Sequence, residues 1–373
     1  MLTSLYIHIP FCDHICTYCD FHKEMAKESK KERYIKALIQ EIHHNKSLIQ
    51  NVKTIYIGGG TPTSLDLPLL ESLFRAIKDI VQLDGVIEYT IESNPNDYHE
   101  DLVILLKAYG INRVSLGVQT FNQEHLAFLE RTHQKEDVNK AITLLKRHGI
   151  NNINVDFIFS LVNQTMEQLS SDIDELLQLE VQHISYYSLI LEEKSKLYYL
   201  LQQNRITMNS EDLEGQMYNL VRSKLQDSQF KHYEISNFAK EGYESVHNKT
   251  YWENKEYLGV GSGSHSRIES HRYYNPHNVS FYITEMEHGN YNLKVAYEYD
   301  ALGDEMMLGL RLLKGIHIPT IEAKYSINLI EYYPQLQDFI NQDILVIENE
   351  YLKFTNQGIL LGNLVFEIFV EVL

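Results

Sequence analysis

The sequence predicts an α/β protein whose N-terminal half is a partial (β/α)6, TIM-like barrel. Apolar strand-like segments alternate with amphipathic helix-like segments six times, and polar residues recur where successive strands end. Six βα units in a row require a parallel sheet, which a doubly wound sheet would also satisfy. The predicted strands cover residues 4–10, 53–59, 86–92, 113–119, 152–159 and 183–190. The predicted helices between them cover residues 29–50, 67–80, 98–109, 134–148 and 165–179.

The polar residues at the strand ends favour a barrel over a doubly wound sheet. Barrel enzymes carry their chemistry at the carboxyl ends of the strands. Taken singly, each of these residues is more typical of a turn or a helix cap, but five in consecutive units predict one ligand-binding rim. The five positions are Cys12, residues 58–62, Glu92, Gln119 and, inside the fifth strand, Asp156.

All three cysteines of the chain lie close together, at Cys12, Cys16 and Cys19, with CxxxCxxC spacing. Three soft sulfur ligands this close suit zinc or an iron–sulfur cluster. A structural zinc ion requires a fourth ligand, for which His14 and His22 are the candidates. A [4Fe–4S] cluster held by three cysteines instead leaves one iron open to a non-protein ligand. Because zinc sites usually come as two separated pairs of ligands, the spacing favours the cluster.

A glycine-rich segment over residues 58–62, Gly-Gly-Gly-Thr-Pro, lacks both the GxxxxGK and the GxGxxG spacing of phosphate-binding loops. Its amides are suited to hold the carboxylate or amino group of a small ligand. Glu92 and Asp156 are suited to accept hydrogen bonds from a ribose or an ammonium group. Arg131, beyond the fourth strand, is placed to neutralise a ligand carboxylate.

These features resemble the radical S-adenosylmethionine (SAM) superfamily, in which SAM chelates the open iron of the cluster. The resemblance is close to the branch containing oxygen-independent coproporphyrinogen III dehydrogenase, whose signature YxHxPFCxxxCxxC is matched by residues 6–19. It implies a [4Fe–4S] cluster on the three cysteines, with SAM as a second cofactor. The residues that it implies in SAM binding are Tyr6, Gly60, Thr61, Glu92, Gln119, Arg131 and Asp156.

Two positions depart from that branch. The dehydrogenase has a further cysteine two places after the third cluster ligand, where this chain has Phe21, which argues against the dehydrogenase itself. The segment after Asp156 usually reads Leu-Ile-Tyr-Gly-Leu-Pro-Gly, whereas residues 157–163 read Phe-Ile-Phe-Ser-Leu-Val-Asn. Since two glycines and a proline are lost, we expect this loop to be placed differently.

Three motifs follow the barrel: YEISNFA at residues 233–239, HNKTYW from His247, and a glycine-rich GVGSGSHS that contains His265. In isolation, a histidine beside aromatic residues is more often packed than a ligand. Together with Phe21, however, the motifs resemble the HemW haem chaperones, which bind haem and pass it to acceptor proteins. The resemblance implies haem as a ligand and His247 in its binding, and a neutral imidazole is a suitable axial ligand. His265 is the alternative ligand.

We expect three parts: a radical SAM core barrel over residues 1–240, a connecting segment with the HNxxYW motif over 241–295, and a C-terminal winged-helix-like domain over 296–373. The last part combines helical segments with two short strands. It holds twelve acidic residues against four basic ones, so a lid or docking role is favoured over DNA binding.

The composition excludes several classes of protein. A formal net charge of −18 repels phosphate backbones, so nucleic acid is not an expected partner. No apolar run is long enough to span a membrane and no signal-like segment opens the chain, so we expect a cytoplasmic protein, with peripheral membrane contact left open. The rival function is a radical SAM enzyme that cleaves SAM and abstracts a hydrogen atom from a substrate. Oligomeric state is not predicted.

Overall fold

The first six strands form the predicted parallel sheet. The computed structural model describes residues 2–269 and 271–370. Strands β1 to β6 pair in sequence order, each parallel to the next. The elements of this part are β1 (Ser4–Ile9), α1 (Glu28–His44), α2 (Lys46–Ile49), β2 (Thr54–Gly59), α3 (Leu67–Ile80), β3 (Glu88–Ser93), α4 (Glu100–Ala108), β4 (Arg113–Gln119), α5 (Gln123–Phe128), α6 (Lys135–Arg147), β5 (Asn152–Phe159), α7 (Met166–Leu176) and β6 (His183–Ser188).

The next segment extends this sheet at both edges. On one side β6 pairs with a hairpin, and on the other β1 pairs in parallel with a late strand, which continues into an antiparallel meander. The resulting twelve strands end at two separate edges, so the barrel is open in the described part of the chain. The added elements are α8 (Lys196–Gln202), α9 (Glu211–Gln226), β7 (Lys231–Glu234), β8 (Asn237–Ala239), α10 (Val246–Trp252), β9 (Tyr257–Val260), β10 (His265–Ile268), β11 (His271–Tyr274), α11 (Val279–Glu287) and β12 (Val295–Tyr297).

Side chains alternate between a polar barrel interior and an apolar outer layer. On β4, Val114, Leu116 and Val118 face the helices and are fully buried, as the two-residue period of a strand requires. The alternate residues Arg113, Ser115, Gly117 and Gln119 line an interior cavity. A closed TIM barrel fills this space with branched apolar side chains. The polar interior here therefore leaves room for a ligand.

The C-terminal part is a small helical domain with a three-stranded antiparallel sheet in the order β13-β15-β14, which agrees with the winged-helix-like prediction. Its apolar residues belong to the same continuous core as the barrel. Within residues 2–269 and 271–370, no helix is both long and apolar enough to cross a membrane. The elements are α12 (Ala301–Gly309), β13 (Ile316–His317), α13 (Ile318–Tyr325), α14 (Leu329–Tyr332), α15 (Gln335–Asn341), β14 (Leu345–Glu348), β15 (Tyr351–Phe354) and α16 (Gly362–Glu367).

Candidate functional site

A cavity of about 550 Å³ runs through the barrel interior. Its upper end is the cysteine loop, at the carboxyl ends of the strands, and its lower end reaches Asn248 of α10. Nearly all the residues predicted to bind cofactors line it, although they come from six different segments of the sequence. Those residues are Cys12, Cys16, Cys19, Gly60, Thr61, Glu92, Gln119, Arg131 and Asp156.

The three thiols face this cavity from a loop that tertiary contacts hold in place. The Thr17 amide donates to the Leu129 carbonyl at 3.3 Å, and the Leu197 amide donates to the Thr17 carbonyl at 2.9 Å. Tyr18 packs on a small apolar cluster that includes Leu129 and Leu197 and is separate from the main core. The loop is therefore positioned from outside the sheet, and its thiols are left facing inwards.

Two thiols accept hydrogen bonds from predicted site residues. Thr61 Oγ1 donates to Cys12 Sγ at 3.6 Å, and Arg131 Nη1 donates to Cys16 Sγ at 3.5 Å. Burial raises the pKa of the Cys12 thiol to about 11 and also raises the pKa of Cys19. Thiolates in such surroundings require a metal centre to compensate their charge. Three inward-facing thiols with hydrogen-bond donors fit an anionic iron–sulfur cluster.

The histidines proposed to complete a zinc shell are placed differently from each other. His14 is exposed and lines the cavity, whereas the Nε2 of His22 lies 3.2 Å from Ser262 Oγ, outside the cavity. Within the described ranges, no three His, Cys, Asp or Glu side chains are grouped to hold a single metal ion.

Glycines bring the backbone of residues 58–60 close to the cysteine loop. Gly59 has φ 116°, and a Cβ atom there would lie 2.3 Å from the His8 ring. A Cβ atom at Gly60 would lie 2.6 Å from the Phe11 carbonyl oxygen. Only glycine fits this approach, which places Thr61 beside Cys12.

Glu92 is a partly buried carboxylate at the end of β3, and two hydrogen-bond donors already contact it. Tyr56 Oη donates to its Oε1 at 2.6 Å, and the Gly59 amide donates to its Oε2 at 2.9 Å. Burial nevertheless dominates and raises the pKa of Glu92 to about 6. A cationic ligand group in the cavity would restore its charge, which fits the proposed role towards an ammonium group.

The Asp156 carboxylate accepts hydrogen bonds from two neighbouring side chains of the sheet. Ser115 Oγ donates to one carboxylate oxygen at 2.9 Å, and Asn154 Nδ2 donates to the other at 2.8 Å. Burial raises the pKa of Asp156 as well. Gln119 lies in the left-handed region, with φ 69°, after an irregularity in the pairing of β4. Strained backbone of this kind concentrates at functional sites, and here it aims the Gln119 side chain into the cavity.

Arg131 joins the cysteine loop to the strand ends. Its Nη2 donates to Asn94 Oδ1 at 2.8 Å and to the Gly117 carbonyl, while its buried Nε has no hydrogen-bond partner in the described part of the chain. Tyr6 is the predicted SAM residue that does not line the cavity. Its hydroxyl lies 2.9 Å from His8 Nδ1 instead.

His247 lies at the opposite end of the barrel from the cysteines and is fully buried. Its Nδ1 is 2.8 Å from Thr54 Oγ1, its Nε2 is 2.7 Å from Tyr251 Oη, and its amide donates to Glu88. Burial and the charge of Arg113 lower its pKa to about 3, so the imidazole is neutral. Because both ring nitrogens are engaged, His247 cannot reach an iron while α10 is docked.

Trp252 of the HNxxYW motif and Glu253, the residue after it, tie α10 to the C-terminal domain. The Arg311 guanidinium lies 4.4 Å from the centre of the Trp252 ring, and Lys314 pairs with Glu253 at 2.9 Å. Asn248 faces the cavity. The C-terminal domain therefore holds the helix that closes the lower end of the barrel.

Sequence reasoning missed several residues of this cavity, among them Arg113 and Asn248. Arg113 is 1% exposed, and its Nε has no hydrogen-bond partner within residues 2–269 and 271–370. Arg113 could have been predicted as a cavity residue, because alternate residues of a strand face the same side and Arg113 shares that side of β4 with Gln119. Nothing in the sequence indicated that the chain returns to the barrel axis at α10 and places Asn248 against the cavity.

The altered loop after Asp156 keeps the backbone conformation that glycines would favour. Ser160 and Asn163, which replace the two glycines of the related pattern, both adopt left-handed conformations, with φ 59° and 60°. Asparagine tolerates this region better than serine does. The substitutions therefore place non-glycine residues in left-handed conformations, which adds local strain. The altered placement of this loop relative to the related pattern stays a prediction.

Comparison with known proteins agrees with this architecture. The family model described as the radical SAM superfamily matches residues 6–176, and the HemN C-terminal domain matches residues 299–361. The solved structure of coproporphyrinogen III oxidase (HemN) from Escherichia coli, described as a radical SAM enzyme, gives a TM-score of 0.85. The alignment covers 100% of this chain and 91% of that chain at 22% identity, which shows the shared fold and confirms the predicted fold class.

Relatives named heme chaperone HemW match over nearly their whole length. The protein from Lactococcus lactis is 38% identical, covering 98% of this chain and 97% of its own length. The Bacillus subtilis protein is 37% identical, with 99% of each covered. The Escherichia coli protein is 30% identical, with 98% of each covered. The chain therefore belongs to the HemW family within the radical SAM superfamily.

Proposed function

We propose that this protein is a haem chaperone that binds haem and passes it to acceptor proteins. The observation that carries the proposal is full-length similarity to relatives that bear this name. In the proposal, a [4Fe–4S] cluster is held by Cys12, Cys16 and Cys19, with SAM on the open iron. Titration of the anaerobically reconstituted protein with haem tests it. Absence of a shifted haem absorption band would overturn it.

The cavity residues supply the contacts that SAM requires. Glu92 accepts from the amino group, Arg131 neutralises the carboxylate, and Asp156 accepts from the ribose, each from a partly buried position in the cavity, where such bonds are stronger than in water. The backbone at Gly60 and Thr61 approaches from the β2 side. In radical SAM enzymes, the reduced cluster supplies the electron that cleaves SAM.

We expect the affinity for SAM to fall as the pH drops through about 6, because the pKa of Glu92 lies there and its protonated form no longer pairs with an ammonium group. The Glu92→Gln protein should bind SAM at least tenfold more weakly at neutral pH, since a charge-assisted hydrogen bond contributes about 1.5–3 kcal/mol. Its affinity should also lose the pH dependence. Isothermal titration at several pH values measures both effects, and equal affinities for the two proteins would assign Glu92 a structural role.

The rival function is coproporphyrinogen III dehydrogenation, and the presence of Phe21 argues against it. This side chain lines the cavity entrance and is 70% exposed, at the position where the dehydrogenase has a cysteine. We expect no protoporphyrinogen from coproporphyrinogen III when the protein is supplied with a reduced cluster and SAM. Chromatography of the oxidised porphyrins measures the product. Its formation, with haem not bound, would favour the enzyme over the chaperone.

The role proposed for His247 in haem binding requires a different state of the protein. Ligation through either ring nitrogen would break its bond to Thr54 or to Tyr251, so α10 must first leave the barrel. His247 is therefore proposed as a ligand only after α10 has detached.

A further inference from the structure

The lower part of the cavity contains a buried positive charge that the described residues leave without a partner. Arg113 is the first residue of β4 and is 1% exposed, yet its side chain lines the cavity. Its Nε has no hydrogen-bond partner, and none of the arginine ion pairs among the described residues includes it. A buried charge costs free energy unless it is paired or hydrogen-bonded. The partner of this guanidinium is therefore expected to enter the cavity from outside the chain.

The position of Arg113 separates it from the contacts proposed for the SAM carboxylate. Strand β4 has seven residues, from Arg113 at its lower end to Gln119 at its upper end, which corresponds to about 20 Å. Arg131, proposed to neutralise the SAM carboxylate, donates to the Gly117 carbonyl near the upper end. The cavity thus has one arginine at each end, and only the upper one is used by the proposed SAM contacts.

The ionisable groups around Arg113 do not supply a paired negative charge. Burial raises the pKa of Glu92 and of Asp156, and the charge of Arg113 lowers it by a smaller amount. Each of these carboxylates accepts hydrogen bonds from two other groups, and Glu92 is the proposed partner of the SAM ammonium. Burial, and then the charge of Arg113, lower the pKa of His183 and of His247, so both imidazoles are neutral. An anionic ligand would therefore meet an unpaired guanidinium.

Asn248 adds a second polar group at the same end of the cavity. Its backbone amide donates to Ser245 Oγ at 3.2 Å, whereas its side chain lines the cavity and makes no hydrogen bond within the described part of the chain. Guanidinium and carboxamide N–H groups are both donors, and the planar guanidinium matches the two oxygens of a carboxylate. The free donors at this end therefore favour a carboxylate over a neutral or cationic group.

We propose that Arg113 and Asn248 form a carboxylate-binding subsite at the lower end of the cavity, which takes an anionic group other than that of SAM. This group has two possible sources, a small free carboxylate and a propionate side chain of haem. A small carboxylate would bind while α10 is docked and would contact both residues.

The haem source rests on the proposed haem-chaperone function and on the detachment of α10, which carries both His247 and Asn248. Detachment would open the lower end of the barrel. Arg113 would then hold a propionate from the barrel side while His247 ligates the iron. In that state Asn248 has left the subsite, so only Arg113 is expected to matter for the propionate.

The first arm of the test uses sodium propionate and the full-length, cluster-reconstituted protein with SAM. At about tenfold excess over its dissociation constant, propionate should raise the melting temperature of the wild type by about 2 °C. Neutral propionamide, and sodium chloride at equal ionic strength, should not. Arg113→Met should abolish the rise, and Asn248→Ala should reduce it. Arg205→Met, which removes the same charge from an exposed position, is the matched control and should retain it.

Folding of the Arg113→Met protein is expected to be intact. An apolar side chain of similar length in place of an unpaired buried charge should leave the melting temperature without propionate unchanged or higher. Arg113→Lys provides a second variant, because it keeps the charge but loses the planar fork, and it should bind propionate more weakly than the wild type.

The second arm compares haem with its dimethyl ester, in which both propionates are esterified. If haem is the source, the wild type should bind haem at least tenfold more tightly than the ester, and Arg113→Met should bind the two equally. A propionate effect without this preference would assign the subsite to a small free carboxylate.

The outcomes separate the subsite from the function. If the wild type does not bind haem, the chaperone function fails, while the propionate arm still decides the subsite. If the wild type neither responds to propionate nor distinguishes haem from the ester, or if Arg113→Met behaves as the wild type in both arms, the subsite is overturned. Arg113 is then solvated by water alone.

Discussion

Replacing Cys16 by alanine should remove the four-iron chromophore and leave the barrel folded. The thiol is partly exposed in a loop, so its loss costs little packing, whereas a cluster with only two protein ligands is not retained. Iron and sulfide analysis after anaerobic reconstitution measures the loss, and circular dichroism reports the fold. The His14→Ala protein is the matched control, because His14 lines the same cavity without a proposed role as a cluster ligand.

Retention of about four irons per chain by the Cys16→Ala protein would contradict the assignment of three cysteine ligands. Full occupancy in the His14→Ala protein is expected in the same assay. A loss of iron from that protein equal to the loss from Cys16→Ala would instead add His14 to the ligand set; His14 and His22 were the two candidates for a fourth zinc ligand.

Replacing His247 by alanine should lower the free energy of unfolding by about 2–4 kcal/mol. The substitution leaves a cavity in a fully buried position and removes the ring partners of Thr54 and Tyr251. Denaturant titration measures the change. The His265→Ala protein is the control and should stay within about 0.5 kcal/mol of wild type, because this side chain is exposed.

This comparison also reports on the state of α10 in solution. If His247→Ala unfolds at the wild-type denaturant concentration, the helix is not docked as described, and His247 is free to act as a ligand. If stability falls but haem spectra are unchanged, the motif histidine closes the barrel and the iron is ligated elsewhere.

The βα units were predictable because each apolar strand is bounded by turn or cap residues. The fourth and fifth strands were placed to the residue, at Arg113–Gln119 and Asn152–Phe159. Strand β9 was missed, since Tyr257–Val260 leads directly into glycines that indicate a turn. Its pairing with β1 joins residues about 250 positions apart, and no local pattern encodes such a contact.

The residues of the candidate site could be predicted where they belong to a local motif or to a strand end, but their tertiary contacts could not. Cys12, Cys16 and Cys19 form a compact motif. Glu92 and Gln119 lie at strand ends and Asp156 lies inside the fifth strand, so the sequence predicted one rim. Burial and bonding of His247 depend on Thr54 and Glu88, which are distant in sequence. Motif similarity therefore identified the segment but not the environment of its histidine.

The cavity that joins the cysteine loop to Asn248 makes its two ends thermodynamically linked. A ligand that touches Asn248 only while α10 is docked stabilises the docked helix, and by reciprocity the docked helix raises the affinity for that ligand by the same factor. Trp252 and Arg311 extend this linkage to the C-terminal domain. Arg311 lies almost 300 positions after Cys12 in the sequence. A partner protein that pulls on the C-terminal domain would thus change cofactor affinity without contacting the cavity.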